Sequence, residues 1–408
     1  MSNPQTYYTV GSTDLSNIFQ PYSGGPKANL TGYTVNGNDL NNIFMPYTSG
    51  TKTSQTGFSV SVVGDLNTIF APINPIQRVS NLSFNSNVGF ADQITSNDTN
   101  QYIYAACLGF NYASPPDLYT TVLYSSNYGV TWETLYPDGI DNNTNFGWNC
   151  IASNNTGSTV IVGNQTTGAL YKSTNYGNSW TNLGVNHSWN LLCIDVNINI
   201  YAVSGTTLYR YNSNGAPYNP NPTTTIQNKI NEITCSTSGQ YIYYVTNGNG
   251  GYYSSDYGVS FTQSTGLTGN LTSINCSNSG QYVYVGENSG SNAYIYFSSN
   301  SGASFTIIFQ TQNISFSSIC CDKTGNIVTA CGSPTSGGSG KIYSTSNGLL
   351  GINSTWNLVP GSNSTSYTYW LSLSCDRNTG NNLTMLAATA ASFYYLGGIW
   401  TYNSIGFQ

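Results

Sequence analysis

The chain has 408 residues with 9 Lys and Arg against 15 Asp and Glu, so 6% of its side chains are charged where a globular protein carries about 25%. Nine scattered cations cannot neutralise a run of phosphates, which excludes nucleic acid as a partner. A net charge of −6 with 38% hydrophobic residues and 34 Tyr excludes a disordered chain.

The length allows two or three domains. No apolar run reaches the roughly 18 residues of a membrane helix, and MSNPQTYYTV lacks the cationic and apolar regions of a signal peptide. A chain made in the cytoplasm and not inserted in a membrane is expected. The nine Cys lack zinc-site spacing and are expected to be free thiols, with no metal and no cofactor.

Residues 1–76 contain three copies of one unit: YTVGSTDLSNIFQPY from Tyr8, YTVNGNDLNNIFMPY from Tyr33 and FSVSVVGDLNTIFAPI from Phe58. Each reads as a short strand, then an Asp (Asp14, Asp39, Asp65) able to cap a helical turn, then a Pro (Pro21, Pro46, Pro72) that stops it. The turn carries an apolar face at i, i+3 and i+4: Leu15, Ile18 and Phe19; Leu40, Ile43 and Phe44; Leu66, Ile69 and Phe70. A unit this short cannot bury its own face, so the copies stack on one another, on the rest of the chain, or on another protein. These D-L-N-x-I-F-x-P-Y units resemble repeats in predicted proteins of large DNA viruses of algae and protists, and short motifs in phage tail proteins.

Residues 77–408 repeat a second unit seven times. An apolar residue is followed two positions later by a small one, then by a polar turn and a β-rich strand, as in Ile233-Thr-Cys235 before SGQYIYYV. From Cys150 the small position recurs at 193, 235, 276, 321 and 375, close to the 40–50 residues of a four-stranded propeller blade. This places six of the nine Cys at one equivalent buried position per blade. The fold class expected is all-β: a seven-bladed β-propeller with a small N-terminal module of three strand-turn-helix repeats.

Four blades then carry a sharper motif: SSNYGVTW (Ser125, Asn127, Gly129, Trp132), STNYGNSW (Ser173, Asn175, Gly177, Trp180), SSDYGVSF (Ser254, Asp256, Gly258, Phe261) and SSNSGASF (Ser298, Asn300, Gly302, Phe305). These resemble the Asp-box, or BNR repeat, of the sialidase-like propellers. The resemblance implies a turn held by the Asp or Asn, a positive φ at Gly, and an aromatic anchor between sheets.

A working sialidase would need an arginine triad and paired acidic groups. The chain has only Arg78, Arg210 and Arg377, with Glu133, Glu232 and Glu287, and Glu133 falls on a blade periphery. Catalysis is therefore not expected. The single His187, in NHSWN, reads as a surface residue.

The first blade carries a long insertion, GFNYASPPDLYTT, whose Phe110, Tyr112 and Tyr119 form a candidate aromatic rim for a glycan. At the C-terminus, ASFYYLGG and IWTYNS are expected as the third and fourth strands of blade seven, with RVSNLSFN after Gln77 offering a closing strand. The function expected is a non-enzymatic virion or surface-fibre component. Residues 1–76 would assemble with further copies or with a capsid or fibre protein, and the propeller would be displayed. A glycan-binding propeller is the alternative, and an intracellular assembly scaffold a further one.

Overall fold

The computed structural model describes residues 90–405 except 112–116, 130, 140–146, 219–223, 226–227, 291, 336–337, 360–361, 363–367, 376–381 and 392–397, together with residues 9–10, 13–14, 34–35, 38–39, 59–60, 64–65 and 77–78. It divides into two units, Met1–Asn74 and Pro75–Gln408.

In the first unit each repeat forms a two-stranded antiparallel hairpin. Thr9 faces Asp14, Thr34 faces Asp39, and Ser59 faces Asp65. Each Asp ends its hairpin's returning strand. The helical turn expected beyond it lies outside the described residues.

The second unit is all-β. Six blades are each built from four strands consecutive in the chain: Phe90–Ser96 to Glu133–Leu135, Trp148–Ser153 to Thr181–Asn186, Leu191–Ile194 to Thr224–Thr225, Ile230–Cys235 to Thr262–Gln263, Asn270–Cys276 to Thr306–Gln312, and Ile314–Cys321 to Asn357–Leu358. The expectation of seven equivalent blades is corrected to these six. The remaining four-stranded sheet is a composite, with Thr368–Cys375, Asn382–Ala391 and Gly398–Ile405 completed by Gln77–Arg78 from the start of the unit. IWTYNS therefore lies in the composite's third strand, and Trp400 faces Arg78 where a fourth strand was expected from the C-terminus. Among the described residues the last repeat supplies three strands, and pairing with Gln77–Arg78 covers an edge that would otherwise be open.

The core follows the seams between neighbouring sheets. Tyr104, Val122, Trp148 and Val162 fill the first seam, and Ile161, Leu170, Trp189 and Ile200 the second. Second strands such as Val160–Asn164 and Ile242–Thr246 are buried on both faces, which is why VIVG and IYYV are continuous apolar runs rather than alternating ones. Outer strands such as Thr181–Asn186 alternate between exposed and half-buried residues.

A polar bracket recurs at the seams. The buried hydroxyls of Tyr104 and Tyr284 donate to the carbonyls of Gly157 and Gly325 in the next blade at 2.8 and 2.5 Å, and Tyr243 donates likewise to Gly280. Backbone N–H groups of Asp98, Val196, Thr237 and Asn278 donate across to Asn155, Thr237, Asn278 and Lys323. Each of these brackets joins uncharged groups.

Candidate functional site: the central cavity

The inner strands of the six blades and of the composite sheet surround a cavity of about 590 Å³. Six of these strands carry a bulge, as between Ile230 and Glu232 or Phe316 and Ser318. A bulge re-aims the side chain beside it. In three of them the residue just past it serves the next sheet: Gln93 Oε1 accepts from Ile151 N at 3.1 Å, Ser318 Oγ from Leu373 N at 3.1 Å, and Ser372 Oγ from Ile94 N at 3.2 Å. These side chains satisfy inner-edge N–H groups that no further strand can pair.

Blade 4 departs from this pattern. Glu232 occupies the post-bulge position, and its Oε1 accepts from the N–H of its own neighbour Ile233 at 3.2 Å. Burial pushes the Glu232 carboxyl up to about 7, against the lowering effect of that hydrogen bond. The other titratable groups on the cavity wall are Asp98, Lys229 and several Cys, set among Asn, Gln, Ser and Thr. Such a wall offers hydrogen bonds to an uncharged polar ligand.

The four motif turns share one geometry. Ser125, Ser173, Ser254 and Ser298 accept from the Gly N–H four residues on at 2.8–3.0 Å. Asn127, Asn175, Asp256 and Asn300 accept from the backbone N–H four residues on at 2.8–3.1 Å. Asp256 differs in one bond: Ser260 Oγ donates to it at 2.6 Å, whereas the Asn amides donate to Thr131, Ser179 and Ser304. Although burial opposes it, these bonds hold the Asp256 carboxyl below its usual value.

Positive φ falls at two residues per turn, not one. Tyr128, Tyr176, Tyr257 and Ser301 precede Gly129, Gly177, Gly258 and Gly302 in the left-handed region. Each of these pre-glycine residues donates its N–H to the turn between the first and second strands of its own blade, as Tyr128 does to Gln101 at 3.1 Å. Of the aromatic anchors, Phe305 is buried, while Trp180 and Phe261 are half-buried against the seam clusters. Trp132 donates its Nε1 to Gly129 O at 3.0 Å. All four turns lie outside the cavity wall.

The described residues weighed for catalysis do not converge. Arg210 is buried in a third strand with its guanidinium carbon 4.7 Å from the Tyr218 ring centroid. Glu133 is exposed on the outer strand of blade 1, Glu232 lines the cavity in blade 4, and Glu287 is buried in blade 5, accepting from Tyr296. The side chains of Arg78 and Arg377 lie outside the described residues. His187 is half-buried, stacked on Tyr209 at 4.2 Å and edge-on to Trp189 at 5.1 Å.

Of the proposed rim, Phe110 and Tyr119 sit in paired strands, facing Leu118 and Gly109. Their side chains, and all of Tyr112, lie outside the described residues. So do Leu15, Ile18, Phe19, Leu40, Ile43, Phe44, Leu66, Ile69 and Phe70.

The cysteines correct the sequence reading twice. Cys235, Cys276, Cys321 and Cys375 do share a position, three residues past the bulge. Cys150 instead falls just past its bulge, and Cys193 two residues before Asp195, one place short of the shared position. A recurrence close to the blade length fixes the blade but not the residue within its inner strand, so spacing alone misaligned them. Free thiols were expected throughout, yet Cys320 and Cys375 form a disulfide with Cα atoms 5.9 Å apart.

The fold thus defines the chain's second unit as a β-propeller. No family model and no curated protein sequence matches the chain. Among solved structures it is similar to YCF48 from Cyanidioschyzon merolae (TM-score 0.53, 12% identity, 80% of this chain and 98% of that one). It is also similar to U3-55K (TM-score 0.58, 10% identity, 81% and 99%) and to the GH74 xyloglucanase from Xanthomonas campestris (TM-score 0.52, 12% identity, 80% and 55%). These likenesses show the fold; the propellers compared include enzymes and non-enzymes.

Proposed function

We propose that the chain is a non-enzymatic structural protein of a virion or surface fibre, assembled through residues 1–76 and displaying its propeller. The observation that carries this reading is the chemistry of the seams, where neutral brackets such as Tyr104 to Gly157 and Ser96 to Ser374 join the sheets. A closed ring held this way, in a chain with 6% charged residues, keeps its shape over a wide range of ionic strength. The dispersal of Glu133, Glu232 and Glu287 over three blades supports the non-enzymatic part.

The assembly part rests on the triplicated apolar face. In the full chain, Phe19→Ser, Phe44→Ser and Phe70→Ser together should convert a higher oligomer to monomer in sedimentation velocity. An unchanged sedimentation coefficient would refute that role.

A second reading is a propeller that holds a polar, uncharged ligand such as a glycan in its cavity. It is favoured by the Asn, Gln, Ser and Thr lining. One propeller of similar fold, YCF48, is described bound to the D1 peptide, so a peptide is the competing occupant. Glycan arrays and peptide libraries probed with the full chain separate the two.

A further inference from the structure

A polar pair recurs where most inner strands meet the next. Thr95 contacts Ser153 at 3.1 Å, Thr234 reaches Cys276 at 4.0 Å, Cys321 donates to Asn275 Oδ1 at 3.3 Å, and Ser374 contacts Ser96 at 2.6 Å. At the seam from blade 6 to the composite sheet the same pair is Cys320 and Cys375, and it is a disulfide.

At the seam from blade 3 to blade 4 the pair is again two cysteines. Cys193 stands two residues before Asp195, whose N–H closes the first-to-second-strand turn, just as Cys320 stands two residues before Asp322. Cys235 stands three residues past the bulge of blade 4, as Cys375 does past that of the composite sheet. The two thiols are free. Cys193 packs against the cluster that contains Cys235.

We propose that Cys193 and Cys235 are a second inter-blade disulfide site, closed by exchange with a low-molecular-weight disulfide that enters the central cavity. Both residues line that cavity, and Cys193 is the more exposed. The Cys193 thiolate attacks one sulfur of the small disulfide and expels a small thiolate, leaving a mixed disulfide. The Cys235 thiolate then attacks Cys193 Sγ and expels the second small thiolate. The two protons lost by the protein thiols go to the two leaving thiolates. The protein pair loses two electrons, and the small disulfide is reduced to two thiols.

Burial, followed by the neighbouring Cys235 thiol, holds the Cys193 thiol well above its usual value, so the thiolate is scarce at neutral pH. Exchange should be slow at pH 7 and accelerate about tenfold per pH unit, following the thiolate fraction.

The test uses the reduced full chain incubated with oxidised glutathione between pH 7 and 9, then denatured, alkylated and mapped by mass spectrometry. A Cys193–Cys235 linked peptide is expected to accumulate faster at higher pH, with Cys150, Cys276, Cys321 and Cys331 still alkylated. In Cys235→Ser, glutathione should remain attached to Cys193. Alkylation of both Cys193 and Cys235 after Cys320–Cys375 has re-formed would overturn the proposal, as would pairing of Cys193 with any other cysteine. The wild-type map decides the matter even if the variant does not fold.

Discussion

The hydroxyl of Tyr104, fully buried in blade 1, donates at 2.8 Å to the carbonyl of Gly157, which turns blade 2 from its first strand to its second. The same bracket runs from Tyr284 to Gly325 between blades 5 and 6. Tyr104→Phe and Tyr284→Phe keep the ring and remove only the donor, stranding a carbonyl at the seam. Each should lower unfolding stability by about 1 kcal/mol. Denaturant unfolding of the two single variants measures this, and an unchanged midpoint in both would remove the bracket from the account.

The motif turns place two left-handed residues in succession, and the two should respond oppositely to substitution. A Cβ at Gly177, where φ is +88°, would stand 2.6 Å from Leu135 Cδ1, so Gly177→Ala should cost about 1–3 kcal/mol. Tyr257, at φ 62° and 47% exposed, is a bulky side chain in a conformation that Asn adopts more readily. Tyr257→Asn should leave thermal stability unchanged or raise it slightly. Equal losses in both variants would contradict this reading of the turn.

Glu232 links stability to pH. Its folded value of about 7 lies above the unfolded value near 4.5, so the folded chain binds the proton more tightly. The stability that this contributes is complete below about pH 4.5 and is lost as the pH rises through about 7. Glu232→Gln keeps an acceptor for Ile233 N–H and removes the titration. Melting temperatures from pH 4.5 to 8 should fall less steeply in the variant, and parallel curves would show that Glu232 is not the group responsible.

The Cys320–Cys375 bond closes a loop of 55 residues across the seam that completes the ring. Loop-closure entropy for that length gives about 4 kcal/mol, and native disulfides usually contribute 2–5. Cys375→Ser should lower the melting temperature of the oxidised protein and reduce its response to added reductant. Wild type should drop to a similar value when reduced.

Much of the propeller is legible in the sequence because its strands obey local rules. Buried second strands are apolar runs, the S-x-N/D-x-G turns have their own side-chain chemistry, and their spacing gives the blade length. What spacing could not convey is the bulge beside residues such as Glu232 and Ser318, which shifts register without changing composition. Spacing also could not tell Cys150 and Cys193 from the shared position, or show the pairing of Cys320 with Cys375. It also concealed Glu232 as a carboxylate on the cavity wall. The composite sheet was half-legible: a strand near Arg78 was expected to help close the ring, but its place beside Trp400 depends on contacts across more than 300 residues.

The proposal that residues 1–76 assemble the chain while the propeller is displayed is tested most directly by electron microscopy of the purified full chain. Particles in which several propeller-sized heads project from a shared centre or filament are predicted. A field of single, separate propellers at all accessible concentrations would contradict the account.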